Sequence, residues 1–117
     1  MSQPIMLVVD DEPLIRMCAA EFALEAGFEP LEASNADEAL VALENRDDVS
    51  MLFTDVAMPG AMDGLALARH VKARWPRINV MIATGATTRL DEEFPHLAKP
   101  YGLGDFLKAL DGMKPSS

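Results

Sequence analysis

At 117 residues, with half of them hydrophobic, the chain has the length of one domain, 1–117, able to bury roughly two thirds of the surface it exposes when unfolded. A formal net charge of −9 argues against nucleic acid or an anionic membrane surface as partner, since both call for a basic patch. The unbroken apolar runs Ile5–Val9 and Ala39–Leu43 reach only five residues, far short of the roughly 20 that cross a bilayer. Ser2-Gln3-Pro4 lacks the positive charge of a secretory signal, and the single cysteine, Cys18, cannot close an internal disulfide, so a reducing, cytoplasmic location is expected.

Strand and helix signals alternate along the chain, the pattern of an α/β fold with a parallel sheet. A first strand is predicted over 5–10. A helix follows, with Pro13 in its first turn, Gly27 at its end, and Leu14, Cys18, Phe22 and Ala26 as its buried stripe. On that stripe Cys18 reads as a small core residue rather than a reactive thiol. A second strand is predicted over 29–33, then a helix capped by Ser34 or Asn35 that carries Ala36, Ala39, Leu40 and Leu43 on one face. A third strand over 49–55 leads to a helix from about Asp63 to Trp75, with Leu67, Val71 and Trp75 at intervals of four and Pro76 as its stop. A fourth strand over 78–84, a fifth over 96–100 and a last helix carrying Leu103, Phe106, Leu107 and Leu110 complete the chain, with a frayed tail over 114–117. The fourteen residues between Thr84 and Lys99 leave room for a helix of one or two turns around Thr88–Glu93, or none.

Four of the apolar runs end on polar groups: Asp10-Asp11, Thr54-Asp55, Thr84 and Lys99-Pro100. In a parallel sheet these ends share one edge, where open α/β sheets bind ligands. Three carboxylates facing one lysine leave an excess of negative charge, which favours a hard divalent cation with oxygen ligands, and Mg²⁺ is the ion expected. Such a site, with coordination positions left for water, suits a phosphoryl group. His70 and His96 have no second ligand at metal-binding spacing, and Asp91-Glu92-Glu93 reads as a solvated face.

Asp10-Asp11, Asp55 followed by Met58-Pro59 and Asp63-Gly64, Thr84, and Lys99-Pro100, in this order and each near a strand end, resemble the receiver domain of two-component response regulators. The resemblance covers nearly the whole chain. It implies a doubly wound sheet of order 2-1-3-4-5, with Asp55 as the residue phosphorylated by a histidine kinase or a histidine phosphotransfer protein. It implies Mg²⁺ bound by Asp11, Asp55 and the Ala57 backbone carbonyl, with Asp10 acting through water. Lys99 would pair with one phosphoryl oxygen and Thr84 would hydrogen-bond another, and the Lys99-Pro100 bond would be cis. Side chains two positions after the aspartate and the threonine would flank the attacking water. Here these are Ala57 and Ala86.

The chain also departs from the common receiver pattern. The loop after Asp55 is one residue longer, His96 stands where many receivers have a switch tyrosine or phenylalanine, and Tyr101 comes two residues after Lys99. The short interval before Lys99 implies a fourth helix that is short or absent and a remodelled output surface. The expected function is a stand-alone phosphoacceptor that signals by altered binding to an unknown downstream protein, or a phosphate sink. The alternative is a pseudo-receiver, an interaction module independent of phosphorylation. An aspartate-dependent phosphatase fits poorly, because Ala57 stands where its acid would be. Slow self-dephosphorylation, and not enzymatic turnover, is expected.

Overall fold

The structure is a computed structural model, and it describes residues 3–58, 60, 62–85 and 94–113. Its strands are β1 (Ile5–Val9), β2 (Glu29–Ala33), β3 (Val49–Asp55), β4 (Asn79–Thr84) and β5 (His96–Ala98). They form one sheet of order β2-β1-β3-β4-β5 in which every pair is parallel. The doubly wound order of the sequence expectation is therefore the observed one. The chain moves outward from β1 to β2 and then crosses back to β3, so the sheet reverses direction between β1 and β3 and opens a crevice at their C-terminal ends.

The central strands are apolar on both faces because both are covered. Ile5, Leu7 and Val9 of β1 face α2 (Ala36–Asn45) and α3 (Gly64–Arg74), where they join Leu52, Val80, Ala39, Leu43, Leu67 and Val71. Met6 and Val8, pointing the other way, pack with Phe53 and Met81 under α1 (Pro13–Glu25) and α4 (Leu103–Met113), against Ala19, Ala23, Phe106 and Leu110.

Local chemistry sets the helix ends. Asn35 accepts the Glu38 N–H at 2.8 Å, while Glu38 reaches back to the Ser34 N–H, also at 2.8 Å, a reciprocal cap for α2. Asp63 accepts the Ala66 N–H at 2.9 Å and starts α3. Gly27, at φ +93°, closes α1 in a conformation that a side chain would disfavour.

Some expectations need correction. Cys18 is exposed and Leu14 is 76% exposed; the buried residues of α1 are Ala19, Ala20 and Ala23. A strict spacing of four drifts by about 40° per step around an α-helix, so the stripe from Leu14 to Ala26 winds off the sheet at its N-terminal end. Leu107 is likewise exposed, whereas Phe106 and Leu110 are buried. β1 stops at Val9, β4 begins at Asn79 and β5 stops at Ala98, which leaves Asp10 and Lys99 just beyond their strands. The expected short helix around Thr88–Glu93 and the frayed tail lie outside the described residues.

Candidate functional site

The parallel register brings the polar strand ends together. Asp10 follows β1 and is buried; its N–H bonds the Ala33 carbonyl of β2 at 3.2 Å, and its Oδ1 accepts the Glu12 N–H at 2.9 Å. Asp55 ends β3 and is also buried, with the Ala57 N–H 3.4 Å from its Oδ1. Asp11 sits at the exposed lip. One carboxylate oxygen from each of the three lies within 4.8 Å of the others.

Lys99 reaches in from the far side. Its N–H bonds the Thr84 carbonyl at 2.8 Å, and its Nζ lies 2.8 Å from Asp55 Oδ2 and 3.9 Å from Asp10 Oδ2. The Lys99-Pro100 bond is cis. Thr84, buried at the end of β4, donates its hydroxyl to the Gly85 carbonyl at 3.2 Å.

Burial raises the Asp10 carboxyl above its ordinary range; the Glu12 N–H opposes this, and the neighbouring Asp55 charge adds to it. Burial acts downward on Lys99, but the hydrogen bond and charge of Asp55, together with Asp10, outweigh it and hold the ammonium above its usual value. Carboxylate oxygens that close together, two buried and one open to solvent, suit a hard cation that keeps part of its water shell.

The loop after β3 is fixed by a close approach. Gly64 donates its N–H to the Val56 carbonyl at 2.9 Å, and a Cβ at this position would stand 1.6 Å from the Asp55 carbonyl oxygen. Only glycine lets α3 begin against the backbone of Asp55. Met58, buried in the core, anchors the same loop, while Ala57 is exposed.

Tyr101 is half-buried, edge-on to Phe53 at 5.6 Å and to Phe22 at 6.1 Å. Burial raises its phenol, and the charges of Asp10 and Asp55 add to this. His96 is exposed at the start of the edge strand β5. Ala86 lies outside the described residues. Sequence reasoning does not single out Arg16, whose side chain bonds the Asp10 backbone; its one signal is a lone arginine early in a helix that otherwise starts with apolar residues.

A family model for the response regulator receiver domain matches residues 6–111. The chain belongs to this family. The receiver is 34% identical over 113 residues to the DNA-binding transcriptional regulator NtrC of Salmonella typhimurium, a match that covers 90% of this chain and 24% of that protein. It thus spans about a quarter of that relative's length. Among solved structures, a receiver domain protein from Clostridium thermocellum superposes with a TM-score of 0.80 at 28% identity, covering 96% of this chain and 93% of the other. The receiver domain of NtrX from Brucella abortus gives 0.78 at 29% identity, over 95% and 99%. Receivers are signalling modules of two-component systems with an acidic pocket for Mg²⁺, and the Asp10, Asp11 and Asp55 group is the acidic cluster among the described residues here. No helix among the described residues is long and apolar enough to cross a membrane.

Proposed function

We propose that this receiver accepts a phosphoryl group on the Asp55 carboxylate from a histidine kinase or a histidine phosphotransfer protein in the cytoplasm. An oxygen of Asp55 forms the bond to phosphorus as the phosphorus–nitrogen bond of the donor phosphohistidine breaks, and the imidazole leaves with that electron pair and takes a proton from solvent. Asp11, Asp55 and the Ala57 carbonyl would hold Mg²⁺ directly, with Asp10 acting through water. When bound, Mg²⁺ neutralises charge on the phosphoryl oxygens.

The remaining work falls to the chain itself. Lys99, already 2.8 Å from Asp55 Oδ2, moves its ammonium onto a phosphoryl oxygen without crossing the pocket. Thr84 turns its hydroxyl from the Gly85 carbonyl to another phosphoryl oxygen. The altered edge then changes binding to a downstream protein, or drains phosphate from the kinase. DNA binding is a property of the NtrC relative and is not carried onto this chain.

The observation that carries this reading is the Lys99 ammonium on Asp55 within a group of three close carboxylates. Incubation with acetyl phosphate and Mg²⁺, followed by intact-mass measurement, should show one added phosphoryl group in the wild type and none in Asp55→Asn. No addition to the wild type would favour an interaction module independent of phosphorylation.

A further inference from the structure

We infer that Arg16 is a positioning residue for the cation ligands: by gripping the Asp10 carbonyl it sets the plane of the Asp10–Asp11 peptide and so aims the Asp11 carboxylate. The inference rests on the reading of the acidic pocket given above.

Arg16 lies one turn into α1 and folds its side chain back past the start of the helix. Nη1 donates to the Asp10 backbone oxygen at 2.9 Å, and Nε donates to Glu32 Oε1 on β2 at 3.0 Å. Its own N–H bonds the Glu12 carbonyl at 2.9 Å, so one residue holds the chain on both sides of Asp11. The side chain is only 20% exposed.

Asp10 and Asp11 differ in what holds them. The Asp10 carboxylate is fixed directly by the Glu12 N–H. Asp11 is exposed, and among the described residues its carboxylate has no hydrogen-bond partner. Its direction therefore comes from its backbone. The Asp10 carbonyl and the Asp11 N–H belong to one planar peptide, so a hydrogen bond that pins the oxygen pins the unit from which the Asp11 side chain departs. Arginine suits the task because its fork meets two acceptors at once, here a carbonyl on one edge and a carboxylate on the other.

Charge and positioning predict opposite signs. A guanidinium beside the pocket repels a divalent cation, so its loss by charge alone would tighten binding. If Arg16 aims a ligand, its loss weakens binding, by about 10- to 100-fold for residues that orient metal ligands.

Calorimetric titration of Mg²⁺ into the unphosphorylated protein separates these outcomes, using wild type, Arg16→Ala, Asp11→Asn and the double variant, each checked for folding by circular dichroism. Arg16→Ala should weaken Mg²⁺ by about tenfold or more. In the Asp11→Asn background the same change should cost nothing further, because the ligand it aims is gone. Should Arg16→Ala not fold, Arg16→Met keeps the packing of the aliphatic stem and carries the same expectation. Unchanged or tighter binding in a folded Arg16 variant overturns the inference, as does an equal loss with and without Asp11. A wild type that binds no Mg²⁺ would instead remove the pocket reading, and this inference with it.

Discussion

Two aspartate–cation contacts of nearly equal length sit in different surroundings. Lys99 and Asp55 meet at 2.8 Å with side chains 26% and 7% exposed, while Arg46 and Asp48 meet at 2.9 Å with side chains 37% and 53% exposed. At the exposed pair the attraction is met by water and salt, and Asp48 is held below the ordinary carboxylate range mainly by its hydrogen bond from Arg46. At the strand ends the same kind of bond lies among buried carboxylates, where Asp10 is pushed the other way. Distance alone does not give a contact its role. Desolvation and a surplus of like charge make the strand-end pair a place where an incoming cation or phosphoryl group can shift the balance.

The largest way to break this contrast is to move the backbone beneath Asp55. Gly64→Ala would place a methyl 1.6 Å from the Asp55 carbonyl oxygen, so α3 must retreat. A loss of about 4 kcal/mol or more in denaturant unfolding is expected, together with loss of phosphorylation. Near-wild-type stability would mean that the loop after β3 relaxes freely.

Asp11→Asn tests the surplus charge. At Mg²⁺ near one hundred times the dissociation constant, the wild type should gain about 2.7 kcal/mol by mass action, and the variant should lose most of that gain. An unchanged Mg²⁺-dependent shift in melting temperature would remove Asp11 from the ligand set.

Lys99→Met addresses the pair itself. It leaves the buried Asp55 without its ammonium beside Asp10, and a loss of about 1–3 kcal/mol is expected in metal-free protein at neutral pH. If its denaturation midpoint matched that of the wild type, the strand-end pair would be no more consequential than the exposed one.

Asp48→Asn should have the smallest effect and a defined pH dependence. The carboxyl of Asp48 is lower in the folded protein than its ordinary value of 3.8, so its contribution is present above 3.8 and is lost as pH falls through the depressed value. Melting curves of wild type and variant should differ slightly at neutral pH and converge in acid. A difference that grew on acidification would reverse the sign of the shift.

Much of the site is legible in the sequence, for a physical reason. Asp10, Asp55 and Thr84 close apolar runs, and an apolar run closed by a polar group places that group at or just past a strand end, as with Asp10 directly after β1 and with Asp55 and Thr84 as the last residues of β3 and β4. Cys18 was less legible, because spacing by four mimics a stripe over two turns and drifts over three. Gly64 was visible as part of a motif, but its close approach to the Asp55 carbonyl depends on where α3 docks. Arg16 is not visible as a site residue, since its two acceptors, the Asp10 carbonyl just past β1 and Glu32 on β2, are brought side by side only by the pairing of those strands.

By itself the sequence determined the alternation of strands and helices, the acidic excess at the strand ends and the residues that carry it, because each rests on local periodicity or on a count of charges. Only the tertiary structure decided which groups meet and how firmly. That Lys99 bonds Asp55 at 2.8 Å while standing 3.9 Å from Asp10, and that Arg16 grips the peptide before Asp11, follow from strand register and helix docking, which arise from packing between segments distant in the chain.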